Sequence, residues 1–181
     1  GDAVFVDLNG DGVLNGDDAT RDIGFTDIPE YTAGLNLGFS WKNFDFSMQW
    51  TGAWNVDRML SEFRRPLGDT NSKALLLYQY ETTWRSSEDT FTAKFPRASN
   101  SHASNNYRGA DLYLINASYL RLKNVEIGYN FDFPFMKKMK LDNCRLYING
   151  YNLLTITGFD WGDPESRQSD RPNYPLTRVF N

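Results

Sequence analysis

Between Tyr31 and Trp54 the chain alternates between apolar side chains and small or polar ones. Apolar residues hold positions 31, 33, 35, 37, 39 and 41. After Lys42-Asn43 they resume as Phe44, Phe46, Met48, Trp50, Gly52 and Trp54, against Asp45, Ser47, Gln49 and Thr51. A period of two marks strands with one apolar face, because successive side chains leave a pleated backbone on opposite sides. A two-residue turn at Lys42-Asn43 sets the register: Trp41 faces Phe44, Phe39 faces Phe46, Leu37 faces Met48, Leu35 faces Trp50, Ala33 faces Gly52 and Tyr31 faces Trp54. The other face then pairs Ser40 with Asp45, Gly38 with Ser47, Asn36 with Gln49 and Gly34 with Thr51. A slip of one residue would put Asp45 and Gln49 among the aromatics, so the register is strongly specified.

Each strand is 11 residues long, about 33 Å at about 3.3 Å per residue, and a tilt of about 45° projects this to roughly 23 Å. The roughly 25 Å apolar band of a membrane barrel has that height, and aromatic residues at both strand ends fit its girdles. A hairpin packed inside a soluble β-sandwich obeys the same alternation, so periodicity alone leaves both architectures open.

A second hairpin is predicted from Ser118 to Phe131 and from Cys144 to Thr155, joined through Pro134 and Lys137-Lys138. Its apolar positions are 120 and 122, then 125, 127, 129 and 131, so the phase slips near Lys123-Asn124 and predicts a bulge or a strand rising above the bilayer. Arg145 and Asn149 fall on the polar face of the return strand. The chain therefore divides into a loop at 1–30, a hairpin at 31–54, a long loop at 55–117 with a short helix around Lys73 to Trp84, a hairpin at 118–155, a loop at 156–177 and the start of a further strand at 178–181. Long connections alternate with short ones, the arrangement of barrels with short periplasmic turns and long outer loops.

One loop carries metal-ligand spacing. From Asp7 to Asp18, oxygen-bearing side chains stand at positions 1, 3, 5, 9 and 12 (Asp7, Asn9, Asp11, Asn15, Asp18), with Gly12 at position 6. Asp7, Asn9, Asp11 and Asp18, with the Val13 carbonyl, form a candidate structural Ca²⁺ site stiffening an exposed loop. Asp18 is shorter than the usual Glu, and an Asp/Asn/Gly run is also simply a good turn. Gly24 and Pro29 follow, so no helix-loop-helix hand is expected.

Composition narrows the classes. Nineteen basic residues against 23 acidic ones give a net charge of −4 with no basic cluster, which argues against nucleic acid. One cysteine, Cys144, excludes an internal disulfide framework. Aromatic residues make up 15 % of the chain, as in sheets, sugar-binding surfaces and membrane belts. No run reaches the roughly 20 apolar residues of a membrane-spanning helix, so any membrane role falls to strands. The opening Gly1-Asp2-Ala3, without an initiator Met, reads as the start of a fragment. Catalysis finds little: His102 is the only histidine, in a polar loop, and Asp160, Asp163 and Glu165 are a weak candidate for a carboxylate pair. An enzyme is not expected.

The chain resembles the SusC/RagA class of TonB-dependent outer-membrane transporters. The marks are Gly1-Asp2 through Asp7-Leu8-Asn9-Gly10-Asp11-Gly12, the strand Tyr31 to Trp41 with Lys42-Asn43-Phe44-Asp45, and Trp84 followed by Lys94-Phe95-Pro96-Arg97. More specific are Ser118-Tyr119-Leu120-Arg121-Leu122-Lys123-Asn124, Ile127-Gly128-Tyr129, Asn152-Leu153 with Thr155, Gly158-Phe159-Asp160 and Asp163-Pro164-Glu165. The resemblance implies an all-β fold: the C-terminal antiparallel strands of a large outer-membrane barrel of about 22 strands with a plug, continuing through one more short strand. It implies uptake of glycans or other large nutrients such as peptides, in the manner of Bacteroidetes nutrient transporters. The implied partners are the TonB complex, engaged through an N-terminal region outside these residues, a SusD-like surface lipoprotein and outer-membrane lipid. The competing reading is a soluble, Ca²⁺-stabilised β-sandwich that binds carbohydrate. It requires Leu35, Leu37, Phe39, Phe46, Met48 and Trp50 to pack against a second sheet.

Overall fold

The structure, a computed structural model, describes residues 1–20, 22–60, 75–89, 92–99, 104–132, 144–166 and 176–181. They group into two compact units. Gly1–Asp27 with Asp57–Ile115 forms one, and Ile28–Val56 with Asn116–Ser166 and the last residues of the chain forms the other.

The second unit is an antiparallel sheet of β1 (Tyr31–Trp41), β2 (Phe44–Trp54), β5 (Tyr119–Phe131), β6 (Cys144–Thr157) and β7 (Val179–Phe180), in that spatial order. β1 and β2 pair from Trp41↔Phe44 to Tyr31↔Trp54, the register dictated by the alternation. Lys42 closes the turn at φ 54°, the positive φ that tight hairpin connections demand. β5 then lies against β2, and a single bulge settles the phase slip. Gln49 faces Asn124 while Trp50 faces Leu122, so Lys123 is the extra residue. Opposite it, Leu122 faces Leu154 and Asn124 faces Tyr151, leaving two residues of β6 against one of β5, with Asn152 at φ 53°. A bulge returns a strand to its face after an odd step, and here it keeps Leu120 and Leu122 on the same side as Val125, Ile127 and Tyr129. β6 runs through Thr157, two residues beyond the stretch the alternation marks.

Continuous apolar rows result. Trp41, Phe44, Tyr129 and Leu146 line up across four strands, as do Phe39, Phe46, Ile127 and Ile148. Below them run Leu37, Met48, Val125 and Gly150, with Phe180 of β7 beside the glycine. Phe44 meets Tyr129 edge to face at 4.7 Å between centroids, and Phe39 meets Phe46 at 5.3 Å. This face is left open: Phe39 is 63 % and Ile148 66 % exposed, and Leu35, Leu37, Trp41 and Leu146 are likewise exposed. The sandwich reading needed a second sheet over it. Among the described residues the other sheet is the three-residue pair β3 (Asp57–Met59) and β4 (Leu114–Asn116).

The first unit is built on loops. Its small core stacks Phe95 on Tyr113 at 6.1 Å, with Met59, Leu75, Tyr78, Ala110 and Leu112 against it. Asn106, fully buried, donates to Asp2 Oδ1 (2.9 Å) and accepts from Ala3 N (2.8 Å), while its carbonyl accepts from Tyr113 Oη (2.6 Å). Arg97 completes the knot with a bidentate pair to Asp2 at 2.6 and 3.0 Å. A short helix α1 (Leu77–Thr82) lies within the stretch where a helix is expected; Lys73 and Ala74 lie outside the described residues.

Candidate functional site

Two places carry concentrated polar chemistry: the Asp/Asn loop of the first unit and the polar face of the large sheet. In the loop, the structure brings Asp7, Asn9, Asp11, Val13, Asn15 and Asp18 into one closed turn. Asp7 accepts from Gly10 N and Gly12 N, both at 2.7 Å, and these glycines take φ 75° and 81°. Asn9 Oδ1 accepts from Asp11 N (2.9 Å) and Asp11 Oδ1 from Val13 N (2.7 Å). Asp18 accepts from Leu8 N and Asn15 N, both at 2.9 Å, and Asn15 in turn caps Asp17 N at 2.6 Å. The N–H of Asn15, ahead of those of Leu8 and Asn9, holds the Asp18 carboxyl below its ordinary range. Asp7 sits beside Asp18, but among the described residues no group of three or more acidic, His or Cys side chains is arranged to hold a metal ion. The side-chain oxygens accept from the N–H groups of their own loop.

On the sheet, the side opposite the apolar rows carries two ionic clusters. The first lies near the Lys42-Asn43 turn. Arg145 pairs with Asp45 and donates to Glu126 Oε1 at 2.6 Å, while Asn130 Nδ2 donates to Asp45 at 3.3 Å. To reach β2, the Arg145 side chain crosses β5 over Gly128. A Cβ there would fall 2.5 and 2.7 Å from the Asp45 carboxylate oxygens and closer still to Arg145. Gly128→Val therefore displaces Arg145 and frees both carboxylates. The expected result is loss of the Arg145–Asp45 coupling in a double-mutant cycle of thermal stability on the Gly128→Val background; undiminished coupling would contradict the crossing.

The second cluster pins the segment after β6. Arg121 is almost completely buried. It donates to Asp163 Oδ1 and Glu165 Oε2, both at 2.8 Å, and to Thr155 Oγ1 at 3.0 Å. Lys123, the bulge residue, reaches Glu165 at 3.0 Å. Asp163 also accepts from Glu165 N (2.9 Å) and Leu176 N (3.3 Å). Burial raises the Asp163 carboxyl, but the Arg121 and backbone donors outweigh it and hold it below the ordinary value. The carboxylates at 163 and 165, candidates for a catalytic pair by sequence, are taken up by cations. His102 lies outside the described residues.

A twisted antiparallel sheet with an apolar face of membrane height and a polar face laced with ion pairs is a wall of a large transmembrane β-barrel. No family model matches the chain. It is 30 % identical over 197 residues to TonB-dependent receptor P3 of Formosa agariphila, an alignment covering 99 % of this chain and 18 % of the relative. TonB-dependent receptor P26 of the same organism is 28 % identical over 176 residues, covering 94 % of the chain and 17 % of the relative. Solved structures of the RagAB importer share the fold. The RagAB peptide importer in its open-open state superposes with TM-score 0.61 at 21 % identity over 84 % of this chain and 16 % of that one. The closed-closed state gives 0.62 at 19 % identity over 94 % and 20 %. The chain is similar over nearly its whole length to a segment of TonB-dependent receptors, and it shares the fold of part of the RagAB structures. It spans under a fifth of the length of the curated relatives it matches.

Proposed function

We propose that the protein containing this segment is an outer-membrane active transporter that imports oligosaccharides, energised through TonB and working with a SusD-like surface lipoprotein. The observation that carries the reading is the kinship to a TonB-dependent receptor across 99 % of the chain, joined to an apolar sheet face of bilayer height. The test is growth of a strain lacking the gene on single polysaccharides and on peptides as carbon source, with affinity purification of the receptor from solubilised outer membranes. Loss of growth on one glycan, and a co-purifying surface lipoprotein, are the expected results. Loss of growth on peptides alone would replace the substrate class.

A structural Ca²⁺ at Asp7, Asn9, Asp11, Val13, Asn15 and Asp18 is part of the same proposal and rests on spacing. Millimolar Ca²⁺ is expected to slow amide exchange of residues 8–18 in the receptor, and Asp18→Ala to abolish the slowing. Exchange indifferent to Ca²⁺ or EGTA would leave the hydrogen-bonded turn as the whole account.

A further inference from the structure

β7 meets β6 through two residue pairs, Gly150↔Phe180 and Tyr151↔Val179, where β1 and β2 share eleven. So short a strand specifies its register only weakly, and its pattern does not help. In the observed register Phe180 goes to the apolar side and Val179 to the polar side. A slip of one residue exchanges them, and either way one apolar side chain falls on each face. The choice is made by side chains of β5 and β6 that hold both feet of the connection before β7. Two residues of the bulge take part. On β5, Lys123 donates to Glu165 at 3.0 Å, and on β6 Asn152, at φ 53°, donates from Nδ2 to the Thr177 carbonyl at 3.3 Å. Asp163 joins the two feet: Oδ1 accepts from Arg121 (2.8 Å) and Oδ2 from Leu176 N (3.3 Å). The Arg121 and Asp163 side chains are already buried within this segment, and the remainder of the receptor can only deepen that burial.

We propose that Arg121, Lys123, Asn152 and Asp163 form a clamp that selects the register in which β7 joins the wall. Each of its bonds links a fixed place on β5 or β6 to the approach to β7. A slip of one residue moves that approach by about 3.3 Å, more than a hydrogen bond survives, so the clamp penalises what the strand's own pattern does not. The Asn149–Asn181 pair, with reciprocal backbone bonds at 3.0 Å and Nδ2 to Oδ1 at 3.2 Å, then forms as a consequence of the register. The effect reaches beyond one pair of strands. In a barrel the stagger between neighbours adds up to the shear, and shear and strand number together set tilt and diameter. A clamp on β7 is therefore a device for correct closure of the transporter.

The experiment uses the full-length receptor in outer membranes, with Cys144→Ser throughout. Tyr151→Cys is combined with Val179→Cys, its partner in the observed register, or with Phe180→Cys or Arg178→Cys, its partners after a slip. Facing residues on neighbouring strands lie within the about 4.4–6.8 Å between Cα atoms that a disulfide spans. After oxidation, linked peptides from the folded, heat-modifiable band are counted by mass spectrometry. With the clamp intact the in-register product dominates. Asn152→Gly, which keeps the positive φ, together with Asp163→Ala is expected to lower the ratio of in-register to slipped product by about fivefold for each anchor lost, the equivalent of one hydrogen bond. Glu165→Ala with Asn152→Gly leaves the buried Arg121–Asp163 pair in place and moves the ratio the same way, so the test holds even where Asp163→Ala does not insert. Asn181→Ala keeps the ratio within about twofold. An unchanged ratio in the folded clamp variants, or an equal loss in Asn181→Ala, would overturn the proposal.

Discussion

Leu37→Arg and Met48→Arg are expected to cripple assembly of the full-length receptor, whereas their neighbours Asn36→Arg and Gln49→Arg are tolerated. Leu37 and Met48 face each other halfway along β1 and β2, on the apolar side. An arginine at the midplane of a barrel's lipid face costs about 2–4 kcal/mol, and the lumenal side carries no such penalty. The measurement is the folded fraction in outer membranes, read from the heat-dependent shift in electrophoretic mobility. Equal damage from Asn36→Arg and Leu37→Arg would show that the faces are assigned wrongly. The same surface governs the 181-residue chain by itself. Among the described residues the sheet has five strands, short of the about eight that close a barrel, and β1 is its edge beside a broad apolar face. In plain buffer it is expected to self-associate, and in detergent to disperse, by sedimentation velocity. A dilute monomer without detergent would contradict this.

The second large effect sits at Arg121. Its side chain is 3 % exposed and that of Asp163 7 %. Asp163→Ala strands a buried guanidinium with only Glu165 and Thr155, and breaking a buried pair from one side costs about 3–5 kcal/mol. Glu165→Ala, at a side chain 37 % exposed, costs less. Replacing both partners, as in Arg121→Met with Asp163→Leu, recovers much of the loss because no charge remains to be buried. Thermal unfolding in detergent reads all three. The sign of the pH dependence follows from a carboxyl held below its unfolded value of 3.8. The contribution is complete above that value and is lost as pH falls through the lower folded one. Amide protection of residues 158–166, taken relative to the intrinsic exchange rate at each pH, should therefore fall on acidification below about 3.8 in the wild type but not in Asp163→Asn.

Much of the wall was legible in the residues. The first hairpin's register is readable because three local constraints agree: a strict period of two, a two-residue turn, and a penalty for every slip that puts Asp45 or Gln49 on the apolar side. The phase slip between 122 and 125 was legible for the same reason, and of its two explanations, a bulge or a strand rising above the bilayer, the structure has the bulge. The Asp7–Asp18 spacing was equally plain, but spacing does not say where each oxygen points. The structure turns those oxygens to the N–H groups of Gly10, Gly12, Val13, Leu8 and Asn15. Arg121 could be singled out only by its place in a family pattern, and Asp163 and Glu165 stood out in the sequence for a different role, as a carboxylate pair. Nothing local marks Arg121 as buried, because its burial depends on a segment 42 residues away.

The alternating hairpin of lipid height, its register and the phase slip of the second hairpin belong to the sequence alone, because period, turn and phase act between near neighbours. Tertiary structure alone decided that β2 lies beside β5 and that Arg145 reaches Asp45 across 100 residues over a glycine. Those pairings join residues far apart in the chain. Any of many charges or strands satisfies such a contact equally well until the sheet exists to choose among them.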